Sequence, residues 1–186
     1  VGSEMCIRDS IYGIEKKPFP YLLCVTNMLL HDIEVPNIYH MNSLKHNLLD
    51  YTDDDKFDVI LMNPPYGGHE DKSIQNFFPD DLTSSETADL FMSVIMYRLK
   101  KGGRAAVILP DGFLFGTDNA KVAIKKKLFS ECNVHTIIRM PHSVFAPYTS
   151  ITTNILFFDR TGPTTETWFY RLDMPAVSYT HLTLPT

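Results

Sequence analysis

The sequence contains few cysteines and no long apolar run. Its three cysteines among 186 residues are odd in number and show no close pairing, so neither a disulfide framework nor a zinc site is predicted, and a reducing compartment is favoured. No apolar stretch reaches transmembrane length, and the N-terminus lacks the basic start and apolar stretch of a signal peptide. We therefore expect a cytoplasmic protein without a membrane segment. The 44% of hydrophobic residues is enough for one domain with a sizeable core.

The sequence also lacks an excess of positive charge. The formal net charge is -5, whereas a surface that neutralises phosphate groups is normally basic. Two basic clusters, Arg98 with Lys100 and Lys101, and residues 125–127, lie near predicted helix ends, where a solvated face or the helix dipole explains them. We therefore expect the chain alone to bind nucleic acid poorly.

The spacing of the histidines gives no sign of a metal site. The seven histidines show none of the spacings that metal ligands adopt, and chain order alone does not reveal a Ser/His/Asp arrangement. We therefore predict no metal, and the sequence favours neither metal catalysis nor acyl transfer.

What the sequence does contain is an alternation of strand and helix patterns. Short apolar runs alternate with segments of helical periodicity, which predicts an α/β fold with a doubly wound, mostly parallel sheet. The polar stretch 67–84 is predicted to be a long loop that contacts substrate or moves. The predicted strands are 11–15, 38–41, 57–62, 104–109, 134–139, 153–159 and 167–171, and the predicted helices are 18–31, 85–100 and 119–130.

The most informative segment is Asn63-Pro64-Pro65-Tyr66, which follows the apolar run 57–62. The run predicts a buried central strand, and ligands of such sheets bind beyond the carboxyl ends of the strands. Pro64 biases Asn63 toward extended geometry, and the two prolines remove two backbone donors, so mostly acceptors remain. The Asn63 side-chain carbonyl and the Pro64 backbone carbonyl can both point at one planar NH2 group, and Tyr66 can stack on the ring that carries it.

A segment with this arrangement of acceptors suits the methylation of an exocyclic amine. The lone pair of the amine on adenine is delocalised into the ring, which makes the nitrogen a poor nucleophile. Hydrogen bonds from both amino hydrogens favour a more pyramidal nitrogen and stabilise the positive charge that develops there, so no strong general base is needed before attack. Asn-Pro-Pro also terminates strands by ordinary turn chemistry, and this simpler explanation stays open.

Further segments follow a fixed order along residues 11–175. They are Tyr12-Gly13-Ile14-Glu15, Thr26-Asn27-Met28-Leu29-Leu30-His31, Met41-Asn42-Ser43-Leu44, Ala88-Asp89-Leu90-Phe91, Gly102-Gly103-Arg104-Ala105-Ala106-Val107-Ile108-Leu109-Pro110-Asp111-Gly112 and Thr152-Thr153-Asn154-Ile155-Leu156-Phe157-Phe158. With the Asn-Pro-Pro-Tyr segment, this order resembles the N6-adenine DNA methyltransferases, and among them the modification subunits of type I restriction-modification systems. The tetrapeptide alone is less specific, because related enzymes that methylate rRNA guanines or protein glutamines share it.

The resemblance implies a Rossmann-like fold that depends on S-adenosylmethionine as its cofactor. Its mostly parallel sheet would close with a C-terminal antiparallel hairpin of 153–159 and 167–171. The implied reaction transfers a methyl group from S-adenosylmethionine to the N6 amino group of adenine in DNA, after the base has left the helix. The catalytic residues would be Asn63, Pro64, Pro65 and Tyr66.

The resemblance also implies residues that bind cofactor and base. Glu15 matches the family acid that binds the ribose hydroxyls, although a plain acid at a strand end explains it too. Asn42, followed by Ser43, occupies the position that contacts the cofactor's adenine, although Asn-Ser after a strand is also common turn chemistry. Tyr148 is a candidate for packing on the target base, and a surface turn explains it nearly as well.

None of the nine glycines forms a Gly-rich loop after a strand. In the resembling family such a loop, after the first strand, holds the cofactor, so we expect a domain that is truncated on its N-terminal side and inactive as this piece. Residues 1–10 and 176–186 do not continue the family pattern and resemble translated sequencing-adapter read-through. We expect both to be non-native tails, and 11–175 to be a partial catalytic domain.

The resemblance implies a bacterial or archaeal protein whose partners are DNA, a specificity subunit and a restriction subunit. The acidic net charge is compatible with target recognition by a separate subunit. Two other functions stay open. One is a methyltransferase that acts on RNA or on a protein glutamine, and the other is a non-catalytic, truncated subunit.

Overall fold

The structure, a computed structural model, describes residues 11–173. These residues fall into two compact units that divide between His46 and Asn47. The two predicted tails, 1–10 and 176–186, lie outside the described residues.

The first unit, 11–46, contains two strands joined by a helix. They are β1 (Tyr12–Glu15), α1 (Pro18–Leu30) and β2 (Asn37–His40). The strands are parallel, and the register places Glu15 opposite His40. Pro18 opens the helix after an extended Lys17, a position where its missing N–H costs no hydrogen bond. The three elements agree with the predicted ones to within one residue at each end.

Among residues 47–173, five strands form one mixed sheet. They are β3 (Phe57–Met62), β4 (Leu99–Pro110), β5 (Asn133–Arg139), β6 (Thr153–Asp159) and β7 (Trp168–Arg171). Their order in the sheet is β3-β4-β6-β5-β7. β3 is parallel to β4 and β7 is parallel to β5, whereas β6 is antiparallel to both of its neighbours. Four of these five strands therefore run in one direction, as predicted for a mostly parallel sheet.

The predicted closing hairpin of 153–159 and 167–171 is wrong in its pairing. β6 is antiparallel, as predicted, but β7 pairs with β5 and not with β6. The connection after β6 crosses to the start of β5, where the Thr164 hydroxyl donates to the Cys132 carbonyl and accepts from the Val134 N–H. Because these bonds hold the connection beside β5, the chain enters β7 parallel to that strand.

β3 is an edge strand of this sheet, whereas the sequence predicts a buried central strand. Val59 is 48% exposed and Leu61 is 77% exposed. Among the described residues, β3 pairs on one side, with β4. The apolar composition of the run favours a buried strand. Composition alone does not specify which strands pair with it, and therefore does not predict its position in the sheet.

β4 is longer than the predicted strand 104–109 because it begins before a pair of glycines. Its pairing with β3 shifts register at this point. Gly102 has a φ of +74°, a conformation that favours glycine. A Cβ on Gly103 would lie 3.0 Å from the Asp58 carbonyl oxygen, so glycine also allows the backbone of β4 to approach β3 closely.

The helices of the second unit supply much of its core. They are α2 (Lys72–Gln75), α3 (Thr87–Arg98), α4 (Asp111–Phe115) and α5 (Asn119–Glu131), with 3-10 turns at Leu48–Asp50, Asp53–Asp55 and Asp80–Leu82. The predicted helices 85–100 and 119–130 are confirmed as α3 and α5. α3 packs against β4 and α5, and nine of its 12 residues are buried. This buried helix provides a rigid support for the chain segments that contact its N-terminus.

The segment 67–84 is partly helical and partly buried, whereas the sequence predicts a polar loop. Ile74, Phe78 and Leu82 are buried at intervals of four residues. The three apolar side chains anchor the segment in the core. Their helix-like spacing could have predicted this burial, although most of the segment is polar. Among residues 11–173, no helix is long and apolar enough to cross a membrane.

Candidate active site

The Asn-Pro-Pro-Tyr segment lies at the carboxyl end of β3. Met62 is the last residue of the strand and pairs with Val107, so Asn63 is the first residue beyond the sheet. Pro64 is buried, whereas Asn63 and Pro65 are exposed. The Asn-Pro-Pro-Tyr segment is therefore anchored through Pro64, and the Asn63 side chain stays accessible.

Tyr66 contacts both the asparagine that precedes it and a second aromatic ring. Its hydroxyl donates a hydrogen bond to Asn63 Oδ1. Its ring centroid lies 6.5 Å from that of Phe145, and the two ring planes make an angle of 59°. Burial raises the pKa of Tyr66 to about 12, so its hydroxyl stays protonated and remains a donor at neutral pH.

The chain after Tyr66 is fastened to the start of α3. The Thr87 N–H donates to the Gly68 carbonyl at 3.0 Å, and the Glu70 N–H donates to the Ser85 carbonyl at 2.9 Å. A Cβ on Gly68 would lie 2.6 Å from Thr87 Oγ1, so glycine allows this close approach. The exit of the Asn-Pro-Pro-Tyr segment is thereby held against the most buried helix of the unit.

A charged network joins three neighbouring strands at the same edge of the sheet. Arg139, the last residue of β5, donates from its two terminal nitrogens to the Asp111 carboxylate at 3.1 and 2.7 Å. Asn154 on β6 donates to the same carboxylate at 2.7 Å, and Asp111 directly follows β4. One sequence does not reveal this network, because the partners lie 28 and 43 positions apart along the chain.

Phe145, and not Tyr148, is the aromatic residue that contacts Tyr66. Both residues belong to one turn, in which the Tyr148 N–H donates to the Phe145 carbonyl at 2.9 Å. Tyr148 is 93% exposed. Its proposed contact with a target base stays a prediction. The family resemblance implies that this turn lies near the base, but two aromatic residues three positions apart do not reveal which one contacts Tyr66.

The predicted cofactor residues Glu15, Asn42 and Ser43 lie in the first unit. Glu15 ends β1, and its Oε1 accepts from the Lys17 N–H at 2.7 Å. Asn42 Oδ1 accepts from the Leu44 N–H at 3.0 Å, while Asn42 Nδ2 is buried with no hydrogen-bond partner among the described residues. Because β1 and β2 are parallel, these side chains lie at the carboxyl edge of the two-stranded sheet.

Comparison with known proteins identifies the family. Residues 3–181 match the sequence model of the N-6 DNA methylase family. The methylase subunit of the type I restriction enzyme EcoEI from Escherichia coli is 53% identical over 170 residues, which are 91% of this chain. The chain belongs to the N-6 DNA methylase family.

Solved structures agree with this family assignment. A modification subunit from Vibrio vulnificus matches with a TM-score of 0.86 at 48% identity, over 89% of this chain and 36% of that one. The M protein of the type I restriction enzyme EcoKI matches with a TM-score of 0.74 at 30% identity, over 91% and 37% of the two chains. The predicted family and its α/β methyltransferase fold are confirmed. The chain spans about a third of the length of its relatives, 34% for the EcoEI subunit.

Proposed function

We propose that this chain carries catalytic residues for transfer of a methyl group from S-adenosylmethionine to the N6 amino group of adenine in DNA. We further propose that it does so as part of a type I modification subunit. The observation that carries the proposal is an Asn-Pro-Pro-Tyr segment at the carboxyl end of β3, in a member of the N-6 DNA methylase family. Carboxyl ends of parallel strands are where ligands of such sheets bind.

Asn63 and Pro64 supply the acceptors for the amino group. Two hydrogen bonds from the amine, one to Asn63 Oδ1 and one to the Pro64 carbonyl, stabilise the positive charge that grows on the nitrogen during attack. Without a base, the Tyr66 hydroxyl occupies Asn63 Oδ1. The adenine amine would replace this hydroxyl, because it competes for the same acceptor.

Tyr66 and Phe145 supply aromatic faces for the base. An adenine that is stacked in a duplex does not reach a catalytic pocket, so it must first leave the helix. Aromatic side chains compensate part of the stacking that the base loses, at about 1–3 kcal/mol per stacked base. Tyr66 contacts the proposed acceptor Asn63 through its hydroxyl, and its ring contacts that of Phe145, so the two rings adjoin each other on this side of the segment.

Glu15, Asn42 and Ser43 are the proposed cofactor residues. The chemistry of their side chains fits S-adenosylmethionine, which when bound supplies the methyl group. The buried and unpartnered Asn42 Nδ2 is a donor that suits an acceptor nitrogen of the cofactor's adenine. The Glu15 carboxylate has two oxygens, and Lys17 uses Oε1, so Oε2 suits a ribose hydroxyl.

The proposed partners are DNA, a specificity subunit and a restriction subunit. Support comes from the names of the relatives, which are subunits of type I restriction enzymes. A separate specificity subunit would supply the positive surface that this chain, with a net charge of -5, does not.

The product of the reaction tests this proposal. Because the EcoEI subunit is 53% identical, residues 11–173 of this chain can replace its matching segment, and the resulting chimera can be incubated with DNA and labelled S-adenosylmethionine. We expect label in N6-methyladenine after digestion and mass spectrometry of the DNA. Label in RNA or in protein glutamine would overturn the proposed substrate. Absence of label, with a folded chimera that binds the cofactor, would overturn the catalytic role.

A further inference from the structure

Lys121, on α5, lies inside a cage of three carboxylates. Its Nζ is 2.7 Å from Glu86 Oε1, 3.1 Å from Asp118 Oδ2 and 3.2 Å from Asp89 Oδ2. The Lys121 side chain is 5% exposed and that of Asp89 is 0% exposed, whereas Glu86 and Asp118 are about half exposed. One buried ammonium group therefore forms ion pairs with three carboxylates.

The cage joins the N-termini of two helices. Asp118 is the N-cap of α5, and its Oδ1 accepts from the Lys121 N–H at 3.0 Å. Glu86 is the N-cap of α3, and Asp89 lies in the first turn of that helix. Ser84, which precedes α3, donates to Asp89 Oδ2 at 2.8 Å. The start of α3 is thereby fixed to α5 through Lys121.

The same residues of α3 hold the exit of the proposed active site. Glu86 pairs with His69 in an isolated antiparallel bridge. The hydrogen bonds from Thr87 to Gly68 and from Glu70 to Ser85 flank this bridge on either side. Movement of the Glu86 backbone would therefore move 68–70, which follows Tyr66 by two residues.

We propose that Lys121 is a positioning residue for methyl transfer: through Glu86 it fixes 68–70, and through that segment it fixes the Tyr66 ring against Phe145. The inference rests on the proposed function, since it assigns a role relative to the base-binding ring. Among the described residues, no hydrogen bond or ion pair joins Lys121 to Asn63 or Tyr66, so its effect on the site is indirect.

The electrostatics of the cage explain why a cation is needed there. Burial raises the pKa of Asp89, against the hydrogen bonds from Ser84 and Lys121, and Asp89 Oδ1 has no hydrogen-bond partner in the described part of the chain. Burial would lower the pKa of Lys121, but its bonds to Glu86, Asp118 and Asp89 outweigh this and hold the pKa above its ordinary value. Without the ammonium group, the three carboxylates would repel one another at the start of α3.

Amide hydrogen exchange and fluorine NMR test the proposal on the 186-residue chain, with 3-fluorotyrosine placed at position 66. In Lys121→Met we expect the amides of Glu70 and Thr87 to exchange on the order of 100-fold faster, because a buried ion pair has lost one partner. We also expect the fluorine resonance to shift. Amides of Val107 and Leu156, inside the β4–β6 ladder, should keep their protection. Lys126→Met, an exposed lysine on the same helix, is the matched control and should change neither signal.

A second variant keeps the test decisive if Lys121→Met fails to fold. Glu86→Ala removes one half-exposed side chain of the cage and should speed exchange at the same two amides on the order of tenfold, with the fluorine shift. Unchanged exchange and an unchanged fluorine resonance in this variant would overturn the proposal, as would equal loss of protection at all four amides. No methylation is measured, so failure here is distinct from failure of the proposed function.

Discussion

Tyr66 combines two contacts that substitution can separate. Its ring contacts that of Phe145 in a tilted arrangement, and its hydroxyl donates to Asn63 Oδ1. In the proposed reaction the ring face receives the adenine, whereas the hydroxyl competes with the adenine's amino group for the same oxygen. Removal of the hydroxyl therefore leaves the acceptor available, and removal of the ring leaves the base without one of its aromatic contacts.

We expect the EcoEI chimera to tolerate Tyr66→Phe and to lose activity with Tyr66→Ala. The loss of a stacking face should cost about 1–3 kcal/mol, which lowers kcat/KM by about 5- to 150-fold. Steady-state methylation of an oligonucleotide duplex measures both variants. Equal damage from the two substitutions would instead show that the hydroxyl is required.

At the residue scale, proline chemistry correctly predicted where β3 ends, whereas aromatic spacing did not reveal the ring that contacts Tyr66. Asn63 lies at the strand end because Pro64 and Pro65 stop the strand, a local effect that one sequence shows. Phe145 contacts Tyr66 from 79 positions away, and nothing in the sequence indicates this contact. Tyr148, in the same turn, stays a candidate for packing on the target base. Long-range side-chain contacts depend on how the loop after β5 folds back, which local patterns do not specify.

At the scale of the elements, the Asp111 carboxylate connects β4, β5 and β6 at the sheet edge where the proposed site lies. It accepts three hydrogen bonds, two from Arg139 and one from Asn154. The loop 140–152, which carries Phe145, is held at both ends close to this carboxylate: the Met140 N–H donates to the Thr153 carbonyl, and the Asp111 N–H donates to the Thr152 carbonyl. Asp111 therefore stabilises the base of the loop that presents Phe145.

We expect Asp111→Ala to lower the free energy of unfolding by about 1.5–3 kcal/mol, because hydrogen bonds to a charged group are lost and Arg139 is left unpaired. Urea denaturation followed by circular dichroism measures this change. The matched control is Asp173→Ala, which breaks an ion pair with Arg171 whose side chains are more than 70% exposed. The control should change stability by less than about 1 kcal/mol. Equal losses in the two variants would contradict a structural role for the network.

The identity and order of the elements along the chain could be predicted from the sequence. Some of the strand pairings within the sheet could not. Apolar runs and helical periodicity gave β3, β6, α3 and α5 nearly at their observed bounds. The pairing of β7 with β5 depends on the Thr164 hydrogen bonds, which join residues about 30 positions apart. The position of β3 at a sheet edge depends on which strands are present to pair with it. The apolar composition of β3 does not specify those strands.

On the scale of the whole molecule, several basic side chains of the described residues contact groups within the protein. Lys125 donates to the Leu114 and Gly116 carbonyls. In further basic contacts, Lys100 pairs with Asp58, Lys127 pairs with Glu131, and the Arg98 guanidinium lies over the rings of Tyr51 and Phe57. Four of the six residues in the two basic clusters, Arg98, Lys100, Lys125 and Lys127, therefore make contacts within the protein. The net charge of -5 also disfavours binding to phosphate groups.

We expect the 186-residue chain alone to bind duplex DNA with a Kd weaker than about 10 µM at physiological salt, because few phosphate groups would be neutralised. Fluorescence anisotropy with a labelled duplex at several salt concentrations measures this. Submicromolar binding at that salt concentration would contradict the proposed division of labour with a separate specificity subunit.

The most direct test of the central claim is Asn63→Ala in the EcoEI chimera. Single-turnover methylation should fall on the order of 100-fold or more, because an acceptor aimed at developing charge is lost, while the affinity for S-adenosylmethionine measured by calorimetry stays unchanged. Asn76→Ala, the same chemical change at an exposed asparagine, is the matched control and should keep the wild-type rate. A near wild-type rate of adenine methylation by the Asn63→Ala chimera would contradict the assignment of this segment as the methyl-transfer site.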